Sequence, residues 1–299
     1  GMDSVLSDIA MDRTSGATAL ALRGLDAMGM LAEILPENAA EAEFLVIDLV
    51  RRLHGLRPAM GAISAQAVRT AIKARASVVA NRARWSDALR KSVAEDRETA
   101  QRADHDIAEL CERLLTTDDT VATCSSSATV ERVLTAIQPK QIYIGEGHRL
   151  GDGVAAATRL AEKNLALQVV PDGALPVVAA EATAVLIGAD QVFADGSVVN
   201  RCGSFSLALS AHRHDIPLYV VCQQMKLTGQ KDAPLEVRRE LLHNLPDGVP
   251  GYAPVFDTTP PDLVSNIVTE NGCMTAAEAG AKGKMIAQML DRILDTGKF

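Results

Sequence analysis

The sequence has no paired-cysteine motif. Its five cysteines, Cys111, Cys124, Cys202, Cys222 and Cys273, are dispersed, with no CxxC among them. That pattern argues against a zinc site or a disulfide framework and for a reducing compartment, so a cytoplasmic setting is expected. No apolar h-region stands near the start, and no run approaches the roughly 18 apolar residues of a membrane span. A basic excess is also missing. With 30 Lys and Arg against 38 Asp and Glu, the formal charge is -8. That balance argues against a nucleic-acid or anionic-membrane binder, and an anionic small ligand would need a local basic pocket. There is no G-x-G-x-x-G after the first strand and no GxxxxGK[ST], so neither dinucleotides nor nucleoside triphosphates are indicated. HExxH and GxSxG are lacking too, and His212 and His214, two apart at a helix end, read as solvated. No metal and no cofactor are expected.

What is present is a globular composition, 47% hydrophobic and 23% charged but only 3% aromatic, in 299 residues. That length suits one large domain or two ordinary ones. The first third has helical period. Ser15, Gly16 and Ala17 open an amphipathic helix through Leu20, Leu25 and Met28, and Phe44 to Leu53 forms a second. Residues 63 to 93 continue the pattern, and a further helix runs from about Val93 to Leu115. After Thr116–Asp119 the period changes to short apolar runs at 120–124, 141–144, 167–170, 185–187 and 218–221. Spaced roughly 20 to 35 residues apart with helical sequence between most of them, they imply a parallel sheet built of βαβ units. The expected architecture is α/β: an N-terminal all-helical domain over 2–116, then a Rossmann-like parallel-sheet domain over 117–299.

In an open α/β sheet, ligands bind beyond the carboxyl ends of the strands. The first strand ends in Thr123-Cys124-Ser125-Ser126-Ser127, a hydroxyl-rich turn at a helix start. Such a turn offers free backbone N–H groups to an anion, although one serine there can simply be an N-cap. The second ends in Gly145-Glu146-Gly147-His148-Arg149, whose charged groups suit phosphate and hydroxyl recognition or, equally, a solvated loop. The fourth runs through AVLIGADQVFADGSVVNRCGS, residues 184–204. It places Asp190 just past the strand, and Asn200, Arg201, Gly203 and Ser204 at the opening of a new helix. Polar groups at three strand ends of one sheet edge point to a site for a phosphorylated small molecule.

These blocks resemble the superfamily that joins initiation factor 2B regulatory subunits, methylthioribose-1-phosphate isomerase and ribose-1,5-bisphosphate isomerase. GADQVFADGSVVNRCGS is similar to its GADRI…NG…NKIGT, and FDTTPPDLVSNIVTENG (256–272) to its C-terminal signature. TCSSS (123–127) and GEGHRLGDG (145–153) fall where the family has its hydroxyl-rich turn and E-T-R-P…G block. Ser15-Gly16-Ala17 is similar to its (S/R)-G-A, and Arg57-Pro58 to its Arg/Gln-Pro element. The resemblance implies aldose–ketose isomerisation of a sugar phosphorylated at the anomeric carbon, by a cysteine and an aspartate, in a homodimer. It makes Asp190 the catalytic acid, Asn200 and Arg201 the sugar and phosphate contacts, and Ser15, Gly16, Ala17, Glu146, His148 and Arg149 the rest of the substrate site.

The chain departs from this pattern at the other half of the acid/base pair. Aligning Thr123 with the family threonine puts Ser125 on the catalytic cysteine and Cys124 on a histidine. A thiol near pKa 8.5 exchanges protons at neutral pH, whereas a serine hydroxyl needs an activating base. Two functions follow: an isomerase in which Cys124 or Ser125 partners Asp190, or a non-catalytic regulatory protein that binds a sugar phosphate. A decayed site in a dimeric fold relative is the third. A Cys124 sulfur facing Asp190 across a pocket favours the enzyme. A Ser125 hydroxyl there, with Cys124 in the core, favours the regulator.

Overall fold

The computed structural model describes residues 1–148, 150–234 and 236–299. The chain begins with α1 (Met2–Met11), α2 (Ala17–Ala32), α3 (Ala39–Leu56), α4 (Gly61–Asn81) and α5 (Trp85–Cys111). Their apolar stripes meet around Leu20, Met28, Leu49, Leu53, Ile63 and Leu89, all fully buried. The pattern over 63–93 is not continuous. Arg82 caps α4 in the left-handed region at φ 51°, and α5 restarts at Trp85, absorbing the helix expected from Val93. The first turns of α5 (Trp85, Leu89, Val93) join the helical core, while Ile107, Ala108 and Cys111 pack under the sheet that follows.

That sheet alternates with helices: β1 (Thr120–Thr123), α6 (Ala128–Ile137), β2 (Gln141–Gly145), α7 (Asp152–Ala161), β3 (Leu167–Val170), α8 (Leu175–Ala179) and β4 (Ala184–Ile187). Then come β5 (Gln191–Val192), β6 (Val198–Arg201), α9 (Ser204–Arg213), β7 (Leu218–Val221), β8 (Phe256–Thr259), β9 (Asn266–Thr269), β10 (Gly272–Met274) and α10 (Ala276–Thr296). All five apolar runs are strands of one seven-stranded sheet, ordered β10-β9-β7-β4-β1-β2-β3. Every pairing in it is parallel except β9 with β10. β4 is buried along its whole length, as its unbroken apolar run requires of a strand covered on both faces. A Thr275–Glu278 capping box starts α10, whose Leu290 and Ile293 return to the helical core. The helical N-terminal region followed by a mostly parallel α/β sheet is the fold the sequence implied. Among the described residues no helix is long and apolar enough to cross a membrane.

One expectation is corrected. Asn200 and Arg201 do not open a helix. They end β6, which pairs antiparallel with β5 and β8 in a separate three-stranded sheet that sets Asn200 opposite Asp257 and Arg201 opposite Phe256. The β-branched pair Val198-Val199 and a strand contributed from far along the chain decide the conformation, and a local window does not see the second cause. Only then does Gly203, at φ 111°, turn the chain into α9.

The strand order reverses between β1 and β4, so the loops following these two strands flank the topological switch point. They pack closely. A Cβ on Gly188 would lie 2.8 Å from the Ser127 hydroxyl, which accepts the Val130 N–H at 3.2 Å as the N-cap of α6. Gly188→Ala therefore displaces that cap. The expected loss is about 1–2 kcal/mol of stability, seen as a lower denaturant midpoint at unchanged m-value.

Candidate functional site

A cavity of about 290 Å³ opens at this switch point. Its floor carries Ser125, Ser126 and Ser127 after β1 and Asp190 after β4; Asn200 and Arg201 come from β6, and Gly16 and Ala17 from the start of α2. A neighbouring lobe shares Gly16, Ser126, Asp190 and Arg201 and adds Ser15, Arg13, Arg57 and Arg238. The first-turn N–H groups of α2 have no partner within their helix and present the positive end of its dipole to this space.

Asp190 is half-buried and fixed through its backbone, whose N–H donates to the Val199 carbonyl at 2.8 Å. Asn200 is buried and donates from Nδ2 to Ser204 Oγ at 2.9 Å. The Arg201 guanidinium lies 4.9 Å from the Phe256 ring centre, and its Nε is 3.5 Å from Asp152 Oδ2. Stacking and ion pairing together hold that cation toward the cavity. At the α2 end, the Asp12 carboxylate accepts from the Ser15 hydroxyl and from the backbone N–H groups of Ser15 and Thr14. These bonds, led by the Ser15 hydroxyl, hold Asp12 well below the usual carboxylate range and brace the turn before Gly16. Arg57 donates to the Asp12 carbonyl, and burial draws its pKa down.

Three further groups line the cavity that motif reading passed over: Asp104, Gln223 and Lys226. Lys226 is buried, and its Nζ donates to the Ala189 carbonyl at 3.2 Å. Among the described residues no carboxylate pairs with it. A buried ammonium without a counter-ion is costly, and the cavity is where an anion can supply one. Gln223 donates to Asp104 Oδ1 at 3.1 Å, leaving its own Oε1 buried without a partner. Both residues follow β7, the fifth apolar run. Extending the strand-end rule to that run finds them.

Cys124 and Ser125 are placed oppositely. The Cys124 side chain is buried in the apolar core beside Leu175 and Leu207, with Sγ 3.3 Å from Ser204 Oγ. Burial, reinforced by the carboxylates of Asp257, Asp152 and Asp172 and only partly offset by the Ser204 hydrogen bond, pushes its thiol up to about 12. It stays protonated at neutral pH. Ser125, held at φ 69°, lines the cavity with Asp190 and donates to Asp152 Oδ2 at 3.0 Å.

The loop after β2 contributes differently from its motif. Glu146 lines neither lobe, and His148 borders an adjoining hollow with Cys124, Asp152 and Cys202, which shares Ser125 and Arg201 with the cavity. The backbone N–H groups of Gly147 and His148 donate to Asp172. Arg149 lies outside the described residues. From this block it is Asp152 that lines the neighbouring lobe, in contact with both Ser125 and Arg201. Elsewhere, His105, Asp106 and Glu109 gather on α5, but His105 and Glu109 are exposed helix neighbours already in contact at 3.3 Å.

Behind the site, Asp257 Oδ2 accepts the N–H groups of Gly203 at 2.9 Å and Phe205 at 3.1 Å, tying β8 to the start of α9. Burial outweighs these bonds and raises its carboxyl to about 6. The folded state thus holds a proton that the unfolded chain releases near pH 4. The contribution of Asp257 to stability falls as pH rises from about 4 to 6 and is level above that window. The expected fall is on the order of 2 kcal/mol, removed in Asp257→Asn, as urea titrations across pH 4–7 would show.

Residues 13–276 match the Initiation factor 2 subunit family. The chain belongs to that family. Among its members, a translation initiation factor eIF-2B subunit 2-like protein of Pyrococcus furiosus is 27% identical over 272 residues, covering 90% of this chain and 94% of the relative. A methylthioribose-1-phosphate isomerase of Thermosipho africanus is 42% identical over 101 residues, 30% of this chain and 29% of the enzyme. The solved structure of the Pyrococcus horikoshii translation initiation factor eIF-2B superposes with a TM-score of 0.73 at 26% identity, over 92% of this chain and 96% of that one. The 5-methylthioribose 1-phosphate isomerase structure from the same organism shares the fold, with a TM-score of 0.68 at 19% identity. The family thus includes both eIF-2B-like proteins and methylthioribose-1-phosphate isomerases, and both fit this architecture.

Proposed function

We propose that the cleft binds a small phosphorylated sugar and holds it without isomerising it, as a regulatory member of the family. Lys226, Arg201 and the N-terminus of α2 take the phosphate, while Asp190 and Asn200 take sugar hydroxyls. The observation that carries this is the exchange at 124–125. The group facing the cavity with Asp190 is a serine hydroxyl, and the neighbouring thiol is buried and protonated. Asp190 can accept a proton from a sugar carbon, but isomerisation also needs an acid whose pKa lies near the working pH. The test pairs calorimetry with a ketose assay on methylthioribose 1-phosphate and ribose 1,5-bisphosphate. Saturable binding without ketose supports the proposal; absence of binding overturns it.

A second function, aldose–ketose isomerisation, is favoured by one observation. Asp190, Ser125, Asn200 and Arg201 line one cavity, and Ser125 already donates to a carboxylate that could act as its base. Ketose formation by the wild type that disappears in Asp190→Asn would select it.

A further inference from the structure

Behind the segment carrying Gln223 and Lys226 lies another cavity, of about 210 Å³, which shares no lining residue with the two lobes of the cleft. Arg69 of α4 is among its lining residues. Nη2 of Arg69 donates to the Leu227 carbonyl at 2.7 Å, but Nη1 is shielded from solvent and has no hydrogen-bond partner. The nearby carboxylates are engaged elsewhere: Glu270 accepts the Gln224 N–H at 2.8 Å, and Asp96 accepts the Thr70 hydroxyl at 2.6 Å and pairs with Lys73. Leaving a guanidinium donor buried and unpaired is costly, and an oxyanion satisfies it with a charge-assisted bond. Lys282, exposed on α10, adds a second cation at the rim. The remaining wall is largely apolar, with Met274, Met285 and Ile286. A volume of 210 Å³ matches about seven waters, enough for a headgroup and a compact body.

We propose that this cavity is a second ligand site, in which Arg69 and Lys282 bind the oxyanion of a small phosphate monoester or carboxylate while its apolar body rests on the methionines. Leu227, the acceptor of Arg69, directly follows Lys226. An occupant therefore acts on the segment that carries the cleft's lysine, a consequence that rests on the function proposed above. The site itself does not.

The test uses the 299-residue chain with Lys226→Met, which weakens binding in the cleft. Calorimetric titrations with phenyl phosphate, benzoate and inorganic phosphate are compared in this background and after adding Arg69→Met or Lys282→Met. The expected result is one-to-one binding of phenyl phosphate or benzoate, weakened tenfold or more by either added substitution. Which of the two binds more tightly identifies the headgroup. Lys282 is exposed, so Lys282→Met reports even if Arg69→Met fails to fold. No binding in the Lys226→Met protein, or binding unchanged by the added substitutions, overturns the proposal.

Discussion

Replacing Ser125 by cysteine is expected to confer aldose–ketose isomerase activity on a wild type that forms no measurable ketose. Ser125 lines the cavity with Asp190, Asn200 and Arg201, and its hydroxyl sits 3.0 Å from Asp152. Cysteine changes one atom at that position and keeps the backbone, including the φ of 69° that serine already tolerates. It supplies an acid with an ordinary pKa near 8.5 in a half-exposed setting, unlike the buried Cys124. A positioned general acid contributes roughly 10²–10⁴-fold, so ketose formation should rise at least a hundredfold above the wild-type background. Asp190→Asn in the same protein should abolish the gain. Cys124→Ala should leave the wild-type binding constant within a few fold, because that buried side chain lines neither lobe of the cleft.

The second large effect is on binding. Lys226→Met keeps the length of the side chain and removes its charge from a buried position against the Ala189 carbonyl. If the ammonium is the phosphate's counter-ion, the loss is that of a charge-assisted hydrogen bond in a poorly solvated site. Such bonds contribute about 1.5–3 kcal/mol, or roughly a ten- to hundredfold weaker dissociation constant. Stability of the unliganded protein should move the other way. Without ligand the ammonium is buried and unpaired, so the methionine variant is expected to melt at the same temperature or higher. A ligand-dependent loss beside a ligand-free gain is a pattern that damage to the fold does not produce.

The sheet was legible because five short apolar runs are spaced as βαβ units require; four are largely buried strands, and β3 is the half-exposed edge. Asp190 was legible for the same reason: it follows Val185–Ile187, and a carboxylate just past a buried strand sits where α/β proteins bind ligands. The three-stranded sheet was not. Gln191–Val192 is too short to carry a period, and Asn200 and Arg201 are drawn into a strand by Phe256 and Asp257. The same pairing explains the C-terminal block: Phe256 stacks under Arg201, and Asp257 ties down the turn that follows it. Arg82, a non-glycine residue in the left-handed region, hid the break between α4 and α5. Lys226 carries no motif, and its significance is a matter of burial. Orientation at 124–125 was likewise beyond spacing, since adjacent residues in a tight turn can send either side chain inward.

The most direct test of the account is a calorimetric titration of the wild-type chain with ribose 1,5-bisphosphate, with the cell contents assayed afterwards for ketose. The account predicts saturable one-to-one binding, weakened at least tenfold in Lys226→Met, with the sugar recovered unchanged. No binding at millimolar ligand, or ketose formed by the wild type, would contradict it.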